Sequence, residues 1–237
     1  MRNTQAVAAM GAFRQQSRMD HVIANNLSNA QTIGFKREVP VFETILSKTS
    51  ERFQNIQNDT VRISFLPGAL QKTGNDLDLA IEGEGFFKVK TPNGVRYTRN
   101  GNFSLNKDQV LINADGFPVL NQRGREITLT GKKIAVESSG SVMSDGNEVD
   151  QIAVVTFGDL NVLQKEGHTL LKNESPVEEI KAPDSQVVQG ILEASNVNAV
   201  EEMINLMDSY RTYESCMKII QADSSLDSKA VNELGKV

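Results

Sequence analysis

Residues Asp76–Gly85 read DLDLAIEGEG, with Leu77, Leu79 and Ile81 alternating against Asp76, Asp78, Glu82 and Glu84. A period of two sends successive side chains to opposite faces of a strand, so this stretch predicts a strand with one buried face and one solvated, acidic face. Short strand-like runs follow at 86–90, 96–98, 110–112, 118–120, 126–129, 133–136, 152–157 and 169–172. Turn sequences separate several of them: PNG at 92–94, ADG at 114–116 and SDGN at 144–147. Short strands joined by tight turns imply a compact antiparallel β domain over 75–190.

Outward from this block the period changes. Residues 35–74 are mixed and polar, with Pro40 and Pro67, and read as an extended connector. Before them, over 1–34, apolar residues recur at Ala9, Ala12, Phe13, Met19, Val22, Ile23, Leu27 and Ala30, approximating one face of a helix. Asn29 or Gly34 would stop it, because both residue types tolerate a left-handed cap. After the β block, over 191–237, a 4,3 spacing runs through Ala199, Met203, Leu206, Tyr210, Tyr213, Met217 and Ile220, with polar flaws at Ser224 and Asp227. Ser195 or Asn198 would cap this second helix, with Glu201 and Glu202 at the positive end of its dipole. The expected fold class is therefore α+β: terminal helices pairing as a coiled-coil-like module, and a central antiparallel all-β domain. Helices whose apolar faces lack a partner recover little of their ordering entropy, so both are expected to become fixed on assembly with other copies.

Composition narrows the function classes. The 237 residues carry a net charge of −5 and a pI of about 5.2, with Lys and Arg scattered, which argues against a nucleic-acid surface. No run approaches the length of apolar sequence that a membrane-spanning helix needs. The N-terminus lacks the charged, apolar and small-residue order of a cleavable signal, so none is expected. A single cysteine, Cys216, excludes an internal disulfide framework, and His21 and His168 have no metal-ligand neighbours in sequence. No catalytic residue, cofactor or metal is expected.

Three motifs carry a family resemblance. IANNLSNAQTIGFKR at 23–37 resembles the N-terminal signature of bacterial flagellar rod and hook proteins. TGNDLDLAIEGEGFFKV at 73–89, with YTRNGNFSLN at 97–106, and EEMINLMDSYRTYESCMKIIQ at 201–221 follow in the order that family shows. Ser28 stands where alanine is usual, and the sequence after Gln221 is more polar than the typical tail. The resemblance implies a non-enzymatic structural subunit of the basal-body rod, the shortness of the chain favouring the proximal member, with the distal member, which the opening and the NNLSN block resemble more, as the alternative. It would polymerise helically through its terminal helices into the periplasmic drive shaft, with copies of itself and other rod and hook proteins as partners. It also implies passage through the flagellar type III export apparatus.

On that reading the subunit interface comprises Phe13, Met19, Ile23 and Leu27 on the first helix, and Met203, Leu206, Tyr210, Tyr213, Met217 and Ile220 on the second. Asn25, Asn26 and Asn29 would end the first helix, Gly34 would turn the chain and Phe35 would re-anchor it. This corner reads either as a plain helix end or as a subunit contact. Two other function classes compete: a carboxylate-based hydrolase or calcium-binding β domain using Asp76, Asp78, Glu82 and Glu84, and an oligomeric adhesin.

Overall fold

The computed structural model describes residues 2–49, 52–131, 133–175, 177–182 and 185–234; within them, side chains are described over 15–41 and 61–218 and at 221, 222 and 225. The chain divides into two compact units, one of residues 1–28, 40–61 and 198–237, the other of 29–39 and 62–197.

The first unit holds helix α1 (Arg2–Ser28), most of the paired strands β1 (Glu38–Thr49) and β2 (Arg52–Ile63), and helix α2 (Ala199–Leu234). Asn198 caps α2 as its side-chain chemistry suggests: its Oδ1 accepts from the backbone N–H of Val200 at 3.1 Å and of Glu201 at 3.4 Å. The helices run antiparallel and touch through polar groups. Asn26 Nδ2 donates to Glu202 Oε1 at 3.3 Å, both residues being almost fully buried. One antiparallel step away, Gln16 Nε2 donates to the carbonyl of Ser209 at 3.1 Å and to its hydroxyl, while that hydroxyl donates to Asp20 Oδ1.

The second unit is built of strands. β3 (Leu70–Lys72), β4 (Leu79–Glu82), β5 (Phe86–Thr91), β6 (Gly94–Thr98), β7 (Phe103–Leu105) and β8 (Leu111–Asn113) form its first half. β9 (Ile134–Val136), β10 (Ser141–Ser144), β11 (Asn147–Gln151), β12 (Val154–Thr156), β13 (Leu163–Glu166) and β14 (Leu170–Asn173) come next. β15 (Ile180–Lys181), β16 (Gln186–Gln189) and β17 (Ile191–Glu193) complete it. The largest sheet has six strands in the order β13-β14-β6-β5-β12-β15, and a three-stranded sheet β11-β10-β9 and the pairs β16-β4, β17-β3 and β7-β8 accompany it.

The double phenylalanine of β5 shows how this sheet is sandwiched. Neighbouring side chains leave a strand on opposite faces, so Phe87 enters one core with Leu79, Val89, Phe103 and Ile127, while Phe86 enters another with Tyr97, Val155 and Leu171. Each is pinned edge-to-face: Phe87 on Phe103 with centroids 5.1 Å apart, Phe86 on Phe65 at 5.6 Å.

Tyr97 packs edge-on against Phe157 at 4.9 Å and donates its hydroxyl to Glu179 Oε1 at 2.6 Å. Burial, reinforced by that bond, pushes its phenol above the ordinary tyrosine range. A folded value above the unfolded 10.0 means the contribution is fully present below pH 10.0 and is lost as pH rises past it. Melting temperature followed from neutral to alkaline pH is therefore expected to fall less steeply above that point in Tyr97→Phe than in the parent, and parallel curves would contradict the assignment.

A small repeat shapes the middle of this unit. Asn106, Asn113 and Asn121 each accept, through Oδ1, the backbone N–H groups two and four residues on, at 2.8–3.1 Å. The residue three positions after each asparagine has positive φ: Gln109 (59°), Gly116 (83°) and Gly124 (73°). Two copies use glycine, which enters this region without steric cost, and one uses glutamine, which does not. Gln109→Gly is expected to stabilise the chain by up to about 1 kcal/mol, the strain relieved being partly offset by greater unfolded-state freedom. A urea midpoint lower than the parent's would contradict that.

Two expectations need correction. The chain is not the α+β fold with a coiled-coil-like module that its helical termini suggest: among the described residues it has seventeen strands and two α-helices, mainly antiparallel sheets, and is β-rich. Where the helices meet, Glu202 and Ser209 turn inward, and Met203 and Tyr210 of the expected apolar seam are exposed. The acidic face of the opening strand is solvated only in part: Asp76, Glu82 and Glu84 are exposed, but Asp78 is buried. Asp78 and Ala80 are buried along with Leu79 and Ile81, because β16 pairs along one edge of β4 and Gly101 crosses the other, where a Cβ would fall 1.7 Å from the Leu79 carbonyl oxygen. Asp78 is accommodated by amide hydrogen bonds from Asn75 and Asn102, each 3.2 Å.

Candidate subunit-interface site

α2 carries an unpaired apolar stripe. Val200, Met203, Ile204, Met207 and Tyr210 are between 52% and 66% exposed, and their 3- and 4-residue spacing puts them on one side of the helix. Exposed single apolar residues are ordinary, but five on one helical face form a continuous patch. Arg211 and Asp208 at its border are paired with each other at 3.5 Å and are solvated.

The other expected interface residues fall elsewhere. Leu206, Tyr213 and Met217 are half-buried on α2; Met19, Asn25 and Leu27 are half-buried on α1, where Ile23 and Asn26 are buried. The side chains of Phe13 and Ile220 lie outside the described residues. In the β-rich unit Asn29, Gly34 and Phe35 are buried. Asn29 closes a turn by accepting from Thr32, backbone to backbone at 3.1 Å and side chain to side chain at 3.1 Å. Gly34, at φ 68°, is pressed against Asn100, whose backbone nitrogen would lie 2.3 Å from a Cβ there.

Gly34 and Phe35 are held by a buried ionic hub that the sequence did not reveal. Lys36 Nζ donates to Glu193 Oε1 at 2.6 Å and to the Leu66 carbonyl at 2.8 Å. The Gly68 N–H donates to the same carboxylate oxygen at 2.9 Å, and Arg99 Nη1 reaches Glu193 Oε2 at 3.4 Å. Arg99 also donates to the carbonyls of Ile81 at 3.2 Å and Gly83 at 2.8 Å. Glu193 thus ties the segments around 34–36, 66–68, 81–83 and 99 to β17. Burial lowers the Lys36 pKa below the ordinary lysine range, while Glu193 pulls the other way. Asn196 extends the hub: its Oδ1 accepts from the Arg37 N–H at 2.6 Å and its Nδ2 donates to the carbonyls of Ser64 and Leu66, both at 2.9 Å.

Among the described residues, neither the stripe nor the hub brings a nucleophile, an acid and a base to one cleft. Comparisons with known proteins identify the relatives of the chain. The family described as flagellar hook protein FlgE/F/G D1 domain matches residues 80–147, and that described as flagellar basal body rod FlgEFG protein C-terminal matches 188–233. The chain is 36% identical to the flagellar basal-body rod protein FlgF of Caulobacter vibrioides, covering 91% of each, and 30% identical to FlgF of Rhizobium meliloti, again covering 91% of each. It is 30% identical to FlgG of Bacillus subtilis, covering 92% of this chain and 93% of that one. The chain belongs to the flagellar basal-body rod family, whose members are structural proteins of the flagellum and not enzymes.

Proposed function

We propose that this chain is a proximal-rod subunit that polymerises helically through its terminal helices. The observation that supports assembly is the α2 stripe from Val200 to Tyr210, whose apolar area gains free energy only when another surface covers it. Greater identity to the Caulobacter FlgF than to the Bacillus FlgG supports a proximal subunit over a distal one. On this reading the partners are further copies and other rod and hook proteins, and the location is the periplasmic rod. The subunit arrives through the flagellar type III export apparatus. The interface takes in Met203 and Tyr210 with their neighbours Ile204 and Met207.

Truncation tests this. In a strain lacking the gene, a chain without residues 199–237 is expected to restore neither rods nor swimming, although its β-rich unit keeps its strand signature by circular dichroism. Swimming restored by the truncated chain would refute assembly through α2. A swimming strain whose basal bodies hold the intact chain only in the distal rod would refute the proximal assignment alone.

A further inference from the structure

One cavity of the β-rich unit is lined by Gly34, Lys36, Arg99, Lys165, His168 and Thr169, with Leu171 as its apolar member. It leaves about 10 Å³ for the centre of a water-sized particle, room for a single small occupant. Its lining contains three cationic side chains and no carboxylate. The carboxylates facing these cations are Glu193, 2.6 Å from Lys36 and 3.4 Å from Arg99, and Glu38, 3.1 Å from Lys165; exposed Glu84 attracts Arg99 more weakly.

Donor capacity is left over. Arg99 is only 6% exposed, and its Nε is buried without a hydrogen-bond acceptor among the described residues. Lys165 Nζ is equally buried; it sits 3.5 Å above the centre of the Phe35 ring and pairs with Glu38 alone, at 3.1 Å, which leaves most of its donor capacity unused. A buried donor without an acceptor is costly, and a water would supply an oxygen but no charge. Burial pushes all three cations below their ordinary ranges, which a negative charge among them would oppose.

We propose that this cavity binds a single inorganic anion of the size of chloride, held by Lys36, Arg99 and Lys165, with exposed His168 and half-buried Thr169 at its mouth. The proposal does not depend on how subunits join. A space of this size admits chloride and excludes larger oxyanions, and chloride's weaker hydration than that of sulfate suits a site with an apolar wall.

The full-length purified chain is titrated with sodium chloride at constant ionic strength, with gluconate as the balancing anion, and chloride exchange is read from the NMR line width. Saturable broadening is expected, displaced by bromide and not by sulfate. Lys165→Met, folded by circular dichroism, is expected to bind about tenfold or more weakly, the scale of one charged hydrogen bond. Exposed Lys90→Met is expected to change nothing. Absence of saturable broadening, equal displacement by sulfate, or unchanged affinity in folded Lys165→Met would each overturn the site. Should Lys165→Met not fold, His168→Ala takes its place, and affinity unchanged there overturns it equally.

Discussion

Glu193→Ala is expected to destabilise the β-rich unit by about 3–5 kcal/mol, the range for stripping one partner from a buried ionic cluster. The side chains of Lys36 and Arg99 are 3% and 7% exposed, so neither can turn its charge to water when the carboxylate is gone. The Gly68 N–H would lose its acceptor as well. Glu193→Gln is expected to fall between the two, because an amide oxygen can still accept from Lys36 and Gly68 but cancels no charge. Urea unfolding followed by near-ultraviolet dichroism of the buried Tyr97 reads this unit directly. A loss below about 1 kcal/mol for Glu193→Ala would mean that water reaches the hub, as it does for surface ion pairs.

Met207→Asp is expected to abolish swimming while leaving the amount and fold of the soluble chain unchanged. Met207 is 57% exposed and stands in the middle of the α2 stripe, so a carboxylate there is harmless to an isolated molecule. Once covered, that carboxylate would be buried without a partner, which costs several kcal/mol at each repeated contact. The penalty recurs at every joint of a polymer, so one substitution acts on the whole assembly. Arg211→Ala, at the solvated border of the stripe, is expected to be mild because an exposed pair contributes little. Swimming at the parental rate in Met207→Asp would show that this face stays in water.

How much of this was legible in the sequence varies with the range of the forces involved. The SDGN turn was legible because Asp145 and Gly146 take the left-handed conformations, φ 50° and 86°, that a two-residue hairpin between β10 and β11 requires. The PNG turn between β5 and β6 was legible from residue types that favour turns: Pro92 and Asn93 join the paired Thr91 and Gly94, and of these only Gly94 has positive φ, 107°. One asparagine turn was legible through its ADG at 114–116, but the repeat was missed, although Asn106, Asn113 and Asn121 recur at nearly even spacing and two of them precede glycine by three. β1 and β2 carry no clean alternation, and nothing in their sequence separates them from coil.

The helical pattern misled in a specific way. A 4,3 repeat through Met203 and Tyr210 marks an apolar stripe, but it cannot tell whether that stripe is covered within the chain or by another molecule. Here the neighbouring line through Glu202 and Ser209 faces α1, its polar groups satisfied by Asn26, Gln16 and Asp20, and the apolar line is left outside. Glu193 was invisible for the opposite reason: its partners Lys36 and Arg99 are 157 and 94 residues away, and no local pattern signals so distant a pairing.

The central claim is that the exposed face of α2 is where this chain joins its neighbours in the rod. The direct measurement is site-specific cross-linking in purified basal bodies, using Met203→Cys in a Cys216→Ser background and a short bifunctional thiol–amine reagent. The account predicts covalent products joining the chain to a second copy or to another rod protein, and none in the soluble monomer. Basal bodies that contain the chain but yield only uncross-linked subunits, with the introduced thiol freely labelled from solvent, would contradict it.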